Sequence, residues 1–135
     1  LQDNSLGAVV ALHFIEHLSK QRVVSLIKLC YDKIQPGGLL IIETPNPQDF
    51  LTHISNFHLD LSHITPLHPE TVRFLAQAAG FSDCQIRFLS PYPAEEMLET
   101  SEVNALPQAE KIYRNFQKLN KLLFAYRDFS VICKK

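Results

Sequence analysis

The sequence predicts an α/β fold built on a mostly parallel sheet. Two continuous apolar runs, LGAVVAL at Leu6–Leu12 and LLII at residues 39–42, read as strands covered on both faces. Between them lies a segment with helical period, and proline and glycine punctuate the ends of each element. The 135 residues, 46% apolar and 20% charged, suit a single domain with one core.

The first run is short enough to be a strand. Ser19 stands where a helix N-cap is expected, and Val23, Ile27, Cys30 and Ile34 then recur as one stripe facing the sheet. Pro36, Gly37 and Gly38 are expected to end that helix. The second apolar run follows, and Pro45 and Pro47 stop it because proline cannot donate to a ladder. Strand, helix, strand with a right-handed crossover is the expected first unit.

Residues 48–67 read as irregular. Pro69 suits the first position of a second helix, with Glu70 near the positive end of its dipole and Val72, Leu75, Ala76 and Ala79 as its buried stripe. Gly80 supplies the turn that closes it. Cys84, Ile86 and Phe88 alternate with Gln85, Arg87 and Leu89, which predicts a less fully covered strand. From Pro107 onward Ala109, Ile112, Tyr113, Phe116, Leu119 and Leu123 keep a helical period, and residues 126–133 read as a last strand.

Charge and composition narrow the function. A net charge of −1 gives no basic groove for nucleic acid, and the longest apolar runs are too short to span a bilayer. No basic, apolar, small-residue signal order opens the chain. Cys30, Cys84 and Cys133 sit in apolar patterns and are expected to be buried free thiols, which places the protein in the cytoplasm.

The chemistry-bearing residues gather in a few places. His13, Glu16 and His17 are spaced by three and four, so one helical turn would put them on one face, able to converge on a divalent cation with His63 or His68 as a fourth ligand. HFIEH also fits the inverted zinc-protease pattern H-x-x-E-H, with Glu95, Glu96 or Glu99 as a further ligand, although that motif belongs inside a helix. His53, His58, His63 and His68 offer general bases for a hydroxyl substrate, the alternative for each being a solvated or helix-capping role. Asn46, at the carboxyl end of the second strand, lies where open α/β sheets bind ligands, or serves as a turn residue between two prolines.

DNSLGAVVALHFIEHL and PGGLLIIETPNP together resemble strands four and five of the class I S-adenosylmethionine-dependent methyltransferases. HITPLHPETVRFLAQAAGF is similar to the helix before strand six in family members acting on small molecules or glycans. The resemblance implies a partial Rossmann-like sheet of strands four to seven with the last antiparallel, so that residues 1–135 form the C-terminal half of a methyltransferase domain. It also implies S-adenosylmethionine beside Ala11, Leu12 and His13 and a hydroxyl of a small molecule or glycan as acceptor; His13, near the sulfonium, and His63, by its imidazole chemistry, are then the expected catalytic residues, with Asn46, His58 and His68 expected around the substrate. Two branches of the family carry Glu-x-x-Glu-His as metal ligands at the end of strand four; Glu16 and His17 match, and His13 replaces the first glutamate.

Only residues 1–5 precede the first strand, so the family's glycine-rich cofactor loop has no counterpart in the chain. Two expectations follow from that. The chain acts as a methyltransferase when complete, or else serves as a non-catalytic binding or assembly module. The open edge of its first strand, with neither proline nor charge to block pairing, is expected to form a homodimer.

Overall fold

A computed structural model describes residues 1–99 and 108–135. Pro107, where the sequence reading begins the last helix, lies outside the described residues. Among the described residues four strands and four α-helices follow in the order β1 (Leu6–Leu12), α1 (Lys20–Lys33), β2 (Ile34–Pro45), α2 (Phe50–Ile54), α3 (Pro69–Ala79), β3 (Ser82–Leu89), α4 (Ala109–Leu123) and β4 (Asp128–Lys134). The sheet order is β1-β2-β4-β3. β1 runs parallel to β2, while β4 is antiparallel to both β2 and β3, which makes β3 parallel to β2.

The core follows from that topology. The β1-to-β2 and β2-to-β3 connections advance across the sheet in the same direction, so right-handed crossovers place α1 and α3 on the same face. Val23 and Ile27 of α1 and Val72 and Ala76 of α3 pack there on Leu40 and Ile42 of β2 and Phe129 and Val131 of β4. The opposite face is not covered among the described residues: Val10 is 55% exposed and Leu12 57%. The expectation of strands covered on both faces is therefore met on one face only, because two same-handed crossovers supply only one layer of helices.

Several local readings hold, with adjustments. Ser19 occupies the N-cap of α1 and its carbonyl accepts from the Val23 amide, but its side chain makes no capping bond. α1 ends at Lys33, three residues before the proline, and Pro36, Gly37 and Gly38 lie inside β2. Gly38 is required there, since a Cβ would stand 2.7 Å from the Gly7 carbonyl of the neighbouring strand. Pro69 opens α3, and Gly80 closes it at φ 113°. No helix among the described residues is long and apolar enough to cross a membrane.

Two expectations are corrected. Residues 48–67 are not wholly irregular: Asp49 accepts a hydrogen bond from the Thr52 amide at 2.8 Å and so caps α2, after which Asn56–Leu59 forms a 3₁₀ turn. The three cysteines are not all free thiols either. Cys84 and Cys133 are joined by a disulfide, because the register of β3 and β4 sets their Cα atoms 4.1 Å apart, and only Cys30, buried in α1, is free. The thiol argument for a reducing compartment falls with that pairing.

Candidate active site

The candidate site lies at the carboxyl ends of β1 and β2. His13 extends the β1 ladder by one bond, its amide donating to the Glu43 carbonyl at 2.9 Å. It then turns the chain at φ 46°, a left-handed conformation uncommon for a residue with a Cβ. A single 3₁₀ turn, Ile15–His17, follows and drives Ile15 and Glu16 into the core.

Glu16 is fully buried, and its two oxygens differ. Oε2 accepts the Thr44 hydroxyl at 2.9 Å, whereas Oε1 has no hydrogen-bond partner among the described residues. His13 Nδ1 lies 3.5 Å from Oε1, and His13 Nε2 in turn stands 3.6 Å from Glu43. The Glu16 carbonyl accepts the amides of Ile64 and Thr65, which folds the following loop over the turn.

That loop brings in His63. The Asp60 carboxylate accepts both the amide and the hydroxyl of Ser62, and these bonds hold its carboxyl below the usual range. With its proton committed to Asp60, the Ser62 oxygen accepts from His17 Nδ1 at 2.9 Å. His63 Nδ1 meets the Phe57 carbonyl at 2.8 Å. A carbonyl only accepts, so His63 carries a proton on Nδ1, as His17 does towards Ser62, and in the neutral imidazole Nε2 holds the remaining lone pair. The two rings lie 4.8 Å apart, and one ligand atom each from Glu16, His17 and His63 falls within 4.8 Å of the others.

These are groups that could hold a divalent cation. An orphaned buried carboxylate oxygen and two imidazoles oriented through Nδ1 are what a small N/O metal site requires. The residues are Glu16, His17 and His63. His13 contacts Glu16 without joining the triangle, and His68 stands apart, using Nδ1 to cap α3 at the Glu70 amide and Nε2 to meet Gln48.

Beside this cluster, Pro45, Thr52, Asn56, Phe57, His63, Ser90, Arg127 and Asp128 line an open pocket of about 320 Å³. One buried carboxylate, Asp49, organises its wall, accepting from the Thr52 amide, the Tyr92 hydroxyl and the Ala125 amide. Burial, and then the Asp49 carboxylate, push the Tyr92 phenol up to about 12.

The remaining expected site residues fall as follows. Ala11 and Leu12 end β1 with Leu12 exposed. Asn46 is 1% exposed, donates to the Tyr126 carbonyl and accepts the Gln48 amide, so its side chain is spent on joining two chain segments. His58 is exposed with its ring edge-on to Phe57. The zinc-protease reading does not survive: HFIEH spans a strand end, a left-handed residue and one 3₁₀ turn instead of a helix, and its glutamate is buried against Thr44. Asp49, Tyr92 and Arg127 were not expected as site residues. Asp49-x-x-Thr52 is a capping pattern visible in the sequence, but no local signal joins it to Tyr92 or Arg127.

No protein-family model matches the chain, and no curated protein does. Among solved structures it is similar over its whole length to a SAM-dependent methyltransferase from Archaeoglobus fulgidus, at 36% identity and a TM-score of 0.89. A possible histamine N-methyltransferase from Thermotoga maritima, at 18% identity and TM-score 0.64, also matches all of the chain. So does phosphoethanolamine N-methyltransferase 2 from Haemonchus contortus, at 17% and 0.65. The chain spans 62%, 58% and 34% of these proteins, respectively.

Proposed function

We propose, from a chain whose fold is that of part of a class I S-adenosylmethionine-dependent methyltransferase domain, that the complete protein transfers a methyl group to a hydroxyl of a small molecule or glycan. The observation that carries the reading is the likeness to the Archaeoglobus fulgidus methyltransferase along all 135 residues. S-adenosylmethionine supplies an electrophilic methyl group when bound. The fit of this chain to it is partial: Ala11, Leu12 and His13 offer one wall at the carboxyl end of β1, with Leu12 and Phe14 as exposed apolar surface. A glycine-rich loop is not among these residues.

The acceptor occupies the pocket beside His63. That ring is oriented by the Phe57 carbonyl, so Nε2 is the atom that takes the proton of the acceptor hydroxyl as it attacks. Thr52, Asn56 and Ser90 give the polar surface that orients the acceptor, and Phe57 gives an apolar one. A divalent cation at Glu16, His17 and His63 is the alternative use of the same lone pair. It would lower the acceptor hydroxyl's pKa in place of a base.

The open edge of β1 pairs with a second strand. In the 135-residue chain that strand comes from a second copy, giving a two-fold dimer; Val10, Leu12 and Phe14, all about half exposed, support an apolar contact there. The functional reading is tested by S-adenosylhomocysteine release from a polypeptide carrying these residues behind a cofactor-binding half. His63→Gln should cut kcat at least tenfold on hydroxyl acceptors, and an unchanged kcat would overturn the assignment of His63.

A further inference from the structure

We infer that the pocket lined by Phe57, His63 and Arg127 selects an acceptor that carries an anionic group, a carboxylate or a phosphate monoester, and that Arg127 is the residue that recognises it. The inference rests on the reading of this pocket as the acceptor site and adds the substrate class to it. Arg127 and His63 line the same pocket from separate segments: one precedes β4, the other sits on the loop over the 3₁₀ turn. A ligand held at Arg127 therefore sits in the same pocket as the proposed base.

The guanidinium is set in place before any ligand arrives. Its Nε donates to the Ser90 carbonyl at 3.3 Å, and its carbon lies 5.2 Å from the centre of the Tyr92 ring. Tyr92 is itself fixed, since its hydroxyl donates to buried Asp49 at 2.8 Å. Nε and one face of the group are thus occupied, and the terminal nitrogens make no hydrogen bond or ion pair among the described residues. Those nitrogens are the part of arginine that recognises carboxylate and phosphate oxygens in a fork.

A positioned guanidinium without a counter-ion, lining an open pocket, presents its terminal nitrogens to an anionic group. Asp128 also lines the pocket, but no carboxylate among the described residues comes within ion-pair distance of Arg127, so it does not neutralise it. His63, the other basic group in the lining, stands 3.8 Å from Asp60 on its own loop. A volume of about 320 Å³ is at the small end of ligand pockets and suits a single substituted ring.

The test uses the 135-residue chain with benzoate, phenyl phosphate and neutral benzyl alcohol as probes, followed through the backbone amides of Phe57, Ser90 and Arg127 by NMR. Benzoate and phenyl phosphate should shift these amides and bind at least tenfold more tightly than benzyl alcohol, with the preference shrinking at high salt. Arg127→Met should abolish the preference, and Arg127→Lys should retain part of it. If Arg127→Met unfolds, the salt dependence and the charge preference of the wild-type chain still decide the matter. Equal binding of the neutral and anionic probes, or an anion preference untouched by Arg127→Met, overturns the inference. Methyl transfer is not needed for this readout. Anion binding at Arg127 in a protein that transfers no methyl group would sink the methyltransferase reading alone, and transfer to neutral acceptors with no use of Arg127 would sink this inference alone.

Discussion

The Thr44 hydroxyl donates a 2.9 Å hydrogen bond to Glu16 Oε2, both side chains being buried, and so ties the end of β2 to the turn after β1. The two parallel strands are locked at the point where the candidate site begins. Thr44→Val removes the donor at nearly constant shape and leaves both Glu16 oxygens without a hydrogen bond. It should destabilise the chain by about 1–3 kcal/mol, the usual cost of an unsatisfied buried polar group. Urea unfolding reads the loss, and a midpoint equal to wild type would show that the bond holds nothing.

The triangle of Glu16, His17 and His63 predicts a metal-dependent melting temperature. Zinc, manganese or magnesium at a hundredfold excess over Kd should stabilise the folded chain by about 2.7 kcal/mol. Glu16→Gln and His63→Ala should remove the shift, while His68→Ala, which loses only the α3 cap and the Gln48 contact, should keep it. A melting curve indifferent to all three ions would leave the cluster as a purely structural pairing.

Acid should release the loop that carries His63. Hydrogen bonds from Ser62 depress the folded-state pKa of Asp60 below the ordinary 3.8. A depressed carboxylate contributes stability that is present above the ordinary value and is lost as the pH falls through the folded one. The Ser62 amide resonance should therefore move, and its protection relative to intrinsic exchange should fall, as the pH drops below 3.8. Asp60→Asn should abolish this titration. Persistence of the same transition in that variant would assign it to another group.

Self-association should follow the exposed edge of β1. Sedimentation of the 135-residue chain is expected to give a dimer in which two first strands pair antiparallel, and Val10→Pro should shift it to monomer by removing a donor and adding a ring at the edge. A stable monomer at high concentration, or a dimer unchanged by Val10→Pro, would rule out this arrangement.

The fold was legible wherever the information is local. The LGAVVAL and LLII runs, the α1 stripe from Val23 to Cys30, and the Pro69 start and Gly80 stop of α3 each carry a single-element signal and stand in the expected elements, whereas Ile34, read as the end of the α1 stripe, opens β2, which also takes in Pro36, Gly37 and Gly38. The antiparallel last strand came through resemblance, since periodicity says nothing about which strands pair. Coverage of one face only was not legible, because alternation is hidden when both faces of a strand are written in apolar residues. The Cys84–Cys133 pairing depends on the β3–β4 register across a separation of 49 residues, which no spacing rule encodes.

The candidate site divides the same way. HFIEH announced Glu16 and His17, and both lie in the cluster. The choice between His63 and His68 was open in the sequence. The Asp60–Ser62 turn and the Glu16 carbonyl decide it by folding residues 60–65 over the 3₁₀ turn, while His68 is drawn off to cap α3. Asn46 is spent on the Tyr126 carbonyl, 80 residues away. The Asp49, Tyr92 and Arg127 wall likewise joins residues up to 78 positions apart, through contacts that exist only once the sheet has formed.

The central claim is that the carboxyl end of β1 forms one wall of an S-adenosylmethionine site. The most direct measurement joins the unmatched portion of the Archaeoglobus fulgidus methyltransferase ahead of Leu1 and titrates the folded chimera with S-adenosylhomocysteine, by calorimetry and by NMR of the backbone amides. Micromolar binding with shifts at Ala11, Leu12 and His13, against weak or no binding by the 135-residue chain itself, is the predicted result. A folded chimera that binds no S-adenosylhomocysteine, or binds it with those three amides unmoved, would contradict the account.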